Sequence, residues 1–195
     1  MEIVLARHGE TEWSRDGRHT GRTDIPLTEA GRQQALALRE ALAHWSFVRT
    51  LSSPLQRALE TCRLAGLGDE VETTEDLVEW DYGEYEGITT AQIREARPDW
   101  NLWRDGCPGG ETAADVGRRA DRVIAELQDL DGDAVVFAHG HVLRVMGARW
   151  VGLPPECGAL IALDTATLSV LGYERETRVI RRWNAPVGGV APQHR

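Results

Sequence analysis

Arg7 and His8 stand directly after the short apolar run Ile3-Val4-Leu5, which reads as a buried strand. Polar character begins abruptly where that run ends. In an open α/β sheet, ligands lie in the crevice beyond the carboxyl ends of the strands. Arg7 and His8 would point into such a crevice, and Gly9 would let the backbone turn or approach a ligand closely. Read alone, the imidazole beside a guanidinium is either a nucleophile next to an oxyanion clamp or a strand-end ion pair. His139 has a similar setting. It emerges from Ala134-Val135-Val136-Phe137-Ala138, an unbroken apolar run of the kind a central parallel strand covered on both faces requires. Arg57 falls in the first turn of a helix that follows a strand, where free N–H groups and the helix dipole favour an anion. The alternative for Arg57 is a solvated helix arginine.

The elements that must position these residues can be read from spacing. Thr28 is an N-cap for a helix to about His44, with Ala35, Leu38, Leu42 and Trp45 sharing one buried face. Val48 to Leu51 reads as a second strand, and Ser53-Pro54 opens the next helix, since proline is tolerated in a first turn. Gly17 to Pro26 is loop-like, with Gly17, Gly21, Asp24 and Pro26 as turn formers. Leu77-Val78 leads into Glu79 and an aromatic, acidic stretch of Trp80, Asp81, Tyr82, Glu84, Tyr85 and Glu86. That stretch is either a surface turn with packed rings or a substrate wall carrying a carboxylate of raised pKa. Thr89 with Gln92 makes a capping box for a short helix ending before Pro98. Residues 100 to 110 read as irregular, and 82 to 110 as an insertion that covers the pocket mouth. Thr112 with Asp115 starts a helix striped by Val116, Ala120, Val123, Ile124 and Leu127. A further helix runs from His139-Gly140-His141 to about Trp150. Leu168 to Tyr173 and Val179 to Trp183 alternate as an edge hairpin around Glu176-Thr177. The segment from Pro186 to Arg195 is expected to be a mobile tail.

Composition narrows the partners. A chain of 195 residues is expected to form one domain over 1–195. Its formal net charge of −9 argues against nucleic acid or an anionic membrane as the main partner. It leaves room for a small phosphorylated metabolite held by arginines gathered in one cleft. Cys62, Cys107 and Cys157 are widely spaced and show no metal-ligand pairing, so reduced thiols in the cytoplasm are expected. Arg7 interrupts the N-terminal apolar run, so no signal peptide is expected, and no run reaches the ~18 apolar residues that a spanning helix needs. A homodimer is carried as a candidate assembly.

Arg7-His8-Gly9-Glu10-Thr11 after an N-terminal strand resembles the signature of the histidine phosphatase superfamily, the phosphoglycerate-mutase-like proteins. Further stretches fit the same pattern in the same order: Ser52-Ser53-Pro54-Leu55-Gln56-Arg57-Ala58, Glu79-Trp80-Asp81-Tyr82-Gly83, Gly109-Gly110-Glu111-Thr112 and Ala138-His139-Gly140-His141. The stretch Trp100 to Cys107 is most similar to the branch of sedoheptulose-bisphosphatase-like and actinobacterial acid-phosphatase-like proteins. The resemblance implies a three-layer α/β/α sandwich with a mostly parallel central sheet. It implies His8 as nucleophile, with Arg7, Arg57 and His139 on the phosphoryl oxygens and Glu79 as general acid. Such a site needs no cofactor and no metal, since arginines supply the charge. Candidate substrate contacts are Ser14, Thr20, Gly21, Tyr82, Arg104 and Gly140, with Arg18, Arg22 and Arg104 as second-anion contacts. The bland reading of those arginines is surface pairing with Asp24, Asp105 or Glu111. His19 is a further candidate substrate contact.

The resemblance also defines the competing readings. Cofactor-dependent mutases carry a lysine shortly after the Glu-x-x-Tyr-Gly stretch, whereas here the region reads Gly87-Ile88-Thr89-Thr90. Ser14 stands where the mutases usually place an asparagine. Both departures favour hydrolysis over phosphoryl return, and an acid-to-neutral optimum is expected of it. A metallohydrolase built on His8, His139 and His141 with Glu10 or Glu79 is opposed by the arginines crowding the same site. A non-catalytic phosphate-binding module would need His8 or Glu79 to be missing.

Overall fold

A computed structural model describes residues 1–187 of the 195. Its strands are β1 (Ile3–Arg7), β2 (Phe47–Ser52), β3 (Glu72–Thr73), β4 (Asp133–Ala138), β5 (Leu168–Glu174) and β6 (Thr177–Ala185). The helices are α1 (Glu12–Asp16), α2 (Glu29–Leu42), α3 (Gln56–Leu64), α4 (Thr90–Ala96), α5 (Leu102–Asp105), α6 (Ala113–Gln128) and α7 (Gly140–Trp150). The strands form one sheet in the order β3-β2-β4-β1-β5-β6. β1 and β4 are parallel neighbours at its centre, with Arg7 opposite Ala138. β5 lies antiparallel to β1 and β6 antiparallel to β5, so the sheet is parallel except at that edge.

The period of two along the central strands divides the core. Ile3, Leu5, Val136 and Ala138 face one way and pack with Val116, Ala120, Val123 and Ile124 of α6 and with Val142 and Met146 of α7. Val4, Ala6, Val135 and Phe137 face the other way, against Leu38 and Leu42 of α2 and Cys62 of α3. Each face of β1 and β4 is therefore apolar, which is why their sequences show no alternation. Helices on both faces make the three-layer sandwich that the sequence implies. The two parallel strands end side by side, so Arg7-His8 and His139 leave the sheet at the same edge.

Several boundaries shift from expectation. α3 begins at Gln56, not at Ser53-Pro54. The Ser53 hydroxyl accepts from the Leu55 amide, and the Gln56 amide is capped by Asp24 from the loop above. α1 was not expected; it forms because Thr11 and Ser14 make a reciprocal capping box. The stretch 102–105 is helical, where irregular chain was expected, because the Asn101 side chain caps the amides of Trp103 and Arg104. The tail expected from Pro186 starts against the site, with Pro186 and Val187 in the cavity lining. Residues 188–195 of that expectation lie outside the described residues. Among the described residues no helix is long and apolar enough to cross a membrane.

Candidate active site

The ends of β1 and β4 meet at a cavity of about 540 Å³ lined by Arg7, His8, Glu79, Tyr82, Gly140 and His141 at its inner end. His8 is buried and its Nδ1 lies 2.7 Å from the carbonyl oxygen of Gly9. A carbonyl can only accept, so Nδ1 carries the proton and Nε2 keeps its lone pair. Burial, then the charges of Arg57 and Arg7, hold the His8 imidazole well below the usual histidine range. It is neutral near pH 7 and has one nucleophilic nitrogen. The Gly9 amide donates to Thr61 Oγ1, and that hydroxyl donates to the Arg57 carbonyl one helical turn back. A side chain on Gly9 would meet the Gly31 carbonyl oxygen at 2.3 Å, so the turn after His8 packs on α2 only with glycine there.

His139 lies behind His8, ring centroids 5.2 Å apart. Arg57 Nε donates to His139 Nδ1 at 3.1 Å, which leaves the proton on Nε2, directed to Ser53 Oγ at 2.7 Å. Both His139 and Arg57 are fully buried. The remaining Arg57 donors reach the carbonyls of Thr23, Thr20 and Gly21. Arg57 thus ties the 20–23 loop to the sheet edge from beneath the cavity and does not line it. Arg7 does line it, donating to the Leu163 carbonyl. A Cβ on Gly140 would stand 3.3 Å from the Arg7 guanidinium carbon, so glycine there leaves the guanidinium its room.

Glu79 is buried at the start of α7. Its Oε1 accepts from the Trp80 and Val142 amides and its Oε2 from the His141 amide, each at 2.9 Å. Burial alone would raise this carboxyl. Contacts with His141, the charge of His139 and the His141 amide outweigh it and hold Glu79 well below the usual carboxylate range. The raised carboxylate pKa considered from the sequence is corrected by that placement: the first-turn amides of a helix stabilise the anion. Tyr82 Oη is 2.7 Å from His141 Nδ1, and the Tyr82 ring packs against His19, tilted by 39° with centroids 4.7 Å apart. Burial first, with a smaller contribution from the charge of His141, lowers His19 to about 4.

The other expected contacts divide between cavity and surface. Ser14, Thr20 and Arg18 line the cavity, while Gly21 gives its carbonyl to Arg57 and does not. Arg22 pairs with Asp81 at 2.8 Å. Arg104 is displaced from its expected role. Its guanidinium grips Asp105 at 2.7 Å and the Asp99 carbonyl, on a separate surface depression. Of residues 82–110, only Tyr82 reaches the cavity lining. The rest of that stretch supports the 17–20 loop, with His19 between Tyr82, Trp100 and Thr90, and Arg18 bridged to Thr89. The mouth is built instead by residues 162–167 and Asn184, which sequence reasoning missed. It also missed Ser53, Thr61 and Arg144. Thr61 alone carried a signal, standing four residues after Arg57 on one helix face. Among the described residues no three His, Cys, Asp or Glu side chains converge so as to hold a metal ion.

The model of the family described as histidine phosphatase superfamily (branch 1) matches residues 3–186. An acid phosphatase of Mycobacterium tuberculosis is 45% identical over 180 residues, covering 90% of this chain and 88% of that one. A sedoheptulose 1,7-bisphosphatase of Saccharomyces cerevisiae is 40% identical, covering 77% of this chain and 67% of that one. Among solved structures, a mycobacterial glucosyl-3-phosphoglycerate phosphatase complexed with VO3 superposes with a TM-score of 0.85 at 30% identity, over 94% of this chain and 98% of that one.

Proposed function

The chain belongs to the histidine phosphatase superfamily, and from that premise we propose a metal-independent phosphatase that hydrolyses small phosphorylated metabolites, sugar phosphates or bisphosphates, through a phosphohistidine. One observation carries the reading: His8, with Nδ1 committed to the Gly9 carbonyl, presents an unprotonated Nε2 beside Arg7 at the inner end of the cavity. Nε2 attacks phosphorus in line, and the displacement is split into two easier ones. The Arg7 guanidinium fork suits phosphoryl oxygens. Arg57 adds positive charge from behind, and the neutral His139 adds a donor once its Nε2 proton turns from Ser53 Oγ to the phosphoryl group. For Arg57 to touch a phosphoryl oxygen, either the second Nη1 N–H reaches it or Nη2 exchanges its Thr20 or Gly21 carbonyl for it. Glu79 protonates the departing alkoxide and then, as carboxylate, activates water. An entering phosphate anion beside Glu79 raises its pKa, which reconciles the anion of the free protein with a general acid in the complex.

Hydrolysis is preferred to mutase chemistry because the whole chain contains no lysine, including after Tyr82-Gly83. The acid phosphatase, sugar bisphosphatase and glucosyl-phosphoglycerate phosphatase named among the relatives support the same choice. Free Cys62, Cys107 and Cys157 support a cytoplasmic setting. The test is a phosphate-release screen over sugar mono- and bisphosphates, phosphoglycerates and nucleotides, with and without EDTA. A 3- to 2-phosphoglycerate isomerisation assay runs beside it. Release that survives EDTA, with acid-labile, base-stable label on quenched protein, is expected. Strong isomerisation without release, or EDTA loss restored by zinc or manganese, overturns the reading.

A further inference from the structure

Glu79 must donate a proton in the first chemical step, yet the fold holds it as an anion on three amides at 2.9 Å. The proton for the leaving group therefore has to come to Glu79 from a neighbour. His141 Nδ1 is 3.8 Å from Glu79 Oε2 and 2.7 Å from Tyr82 Oη, and all three side chains line the cavity. Tyr82 is buried and its hydroxyl stays protonated, burial coming first among the causes. That hydroxyl donates to Nδ1 when the ring is neutral and accepts from it when the ring is charged. The other groups facing His141 are Arg144 on its own helix, Arg7 from β1 and His19 from the 17–20 loop. Trp80 and Trp103 pack against its ring. Burial first, then the charges of Arg144 and Arg7, keep the His141 ring neutral in the free protein against the pull of Glu79, the one anion among them; an entering phosphoester offsets those arginines and lets the ring take up a proton.

Resting on the histidine phosphatase reading, we propose that His141, held in register by Tyr82, takes up a proton as the phosphoester binds and passes it to Glu79, which delivers it to the leaving group. His141 acts through Glu79 and not on the substrate, so it is a positioning residue for that proton. When the phosphoester binds, the Nδ1 proton turns from Tyr82 Oη to Glu79 Oε2 and moves to it; a 3.8 Å gap in a free site is of the kind that tightens in the complex. Glu79 passes the proton to the ester oxygen as the P–O bond breaks toward that oxygen and the His8 Nε2 lone pair forms the P–N bond. In the second half, the Glu79 carboxylate takes a proton from water while the water oxygen attacks phosphorus. The P–N electron pair returns to Nε2, and the proton returns to His141. The sum is ester plus water giving alcohol plus phosphate, with no other reactant.

The experiment compares glycerol 2-phosphate, whose alkoxide must be protonated, with p-nitrophenyl phosphate, whose leaving group needs no proton. His141→Asn is expected to lose on the order of 10²-fold in kcat on glycerol phosphate and less than about tenfold on p-nitrophenyl phosphate. Its optimum on glycerol phosphate moves to lower pH, because Glu79 is left as the sole and more acidic donor. Tyr82→Phe moves both readouts the same way by about tenfold or less. Equal losses on the two substrates, or an unmoved pH profile, overturn the proposal. Glu79→Gln in the same assay separates the two levels of inference. Leaving-group dependence there, with none in His141→Asn, removes the relay and keeps the phosphatase. Its absence in both removes the acid assignment itself. If thermal melting shows that His141→Asn does not fold, Tyr82→Phe decides by the same criteria, since it deletes one oxygen.

Discussion

At the floor of the cavity His8, Arg57, His139 and Thr61 are buried, and their hydrogen bonds join the turn after β1, the residue after β2, α3 and the 20–23 loop. At the mouth, Arg15 on α1 and Arg18 and Asp164 on loops face solvent or the cavity, and two of the three non-glycine residues with positive φ among the described residues, Ala166 and Asn184, line it. The floor is an interlocked set: moving one guanidinium releases a histidine tautomer, a loop and a helix turn together. The mouth is a set of separate contacts on short loops. Chemistry common to many phosphoesters belongs on the first kind of surface, and discrimination among them on the second. Of the two strained residues, Ala166 braces the end of β1 by donating its amide to the Arg7 and His8 carbonyls, while Asn184 shapes the opening.

The sharpest way to break that contrast is at the nucleophile. His8→Ala is expected to lower phosphate release by roughly four orders of magnitude or more, as removal of a covalent nucleophile does. The fold should survive, because the imidazole packs at the sheet edge and not within either apolar layer. Phosphate release together with a melting curve checks both halves. Substantial activity in the variant would remove the nucleophile from the floor.

Arg57→Ala comes next, and unlike His8 it should fail in stability as well as in rate. Its guanidinium donates to His139 and to three carbonyls of the 20–23 loop, tying four acceptors to one side chain. Leaving them buried and unmatched is expected to cost about 3 kcal/mol or more. Chemical denaturation of Arg57→Ala beside Arg18→Ala measures the difference. A floor no more sensitive than the mouth would refute the interlocked description.

The floor was largely legible in the sequence, because Ile3-Val4-Leu5 and Ala134 to Ala138 are apolar without alternation and so announce central strands. Residues just past the ends of central parallel strands are confined to one sheet edge, and the family resemblance supplied the further step that sets His8 beside His139. The mouth was not legible. Residues 162–167 carry no periodicity, and their place depends on the Ala166 amide reaching the carbonyls of Arg7 and His8 across the β1–β5 pairing. Arg104 misled because its surroundings match the family branch, while the Asn101 cap turns its side chain onto Asp105. Glu79 was legible in place but not in charge, since the α7 amides that hold it stand some sixty residues away in the chain.

Acidification should test the floor as a unit. His8, His139 and His141 are lowered by burial first, and His19 is lowered to about 4, again by burial first. Below about pH 6.5 the unfolded chain takes up protons that the folded chain refuses, so stability rises with pH across that window and is lost as pH falls. Glu79 acts in the same sense lower down, since its depressed carboxyl contributes stability that is lost as pH falls below the unfolded value. For His19 alone the window from about 6.5 to about 4 is worth roughly 2–3 kcal/mol, solvent screening included. Melting temperature measured from pH 7.5 to 4 should fall steadily, and less steeply in His19→Gln. A flat profile would mean that these histidines are solvated and the floor is open.

The smallest effect separates Arg18 from Arg104, the second-anion candidate that the family resemblance favoured. Arg18 lines the cavity beside Arg15, His19 and Thr20, whereas Arg104 sits in another depression with its charge already matched by Asp105. An exposed cation meeting a distal phosphate contributes about 1 kcal/mol or less, so Arg18→Ala should raise KM for a sugar bisphosphate about three- to sixfold. kcat should hold, because such a contact is made equally in ground and transition states. The same variant should leave KM for the matching monophosphate nearly unmoved, since that substrate has no second anion to lose. Arg104→Ala should change neither constant, because breaking its exposed pair with Asp105 touches nothing that lines the cavity. Steady-state kinetics on a bisphosphate and its monophosphate, with both variants in one buffer of low ionic strength, reads all four values. A KM effect from Arg104→Ala confined to the bisphosphate would restore the 100–110 stretch to the mouth and require that segment to move over the cavity when substrate binds. An effect from neither arginine would make the distal end of the cavity indifferent to charge, leaving His19, Thr20 and Asn184 to recognise hydroxyls there instead.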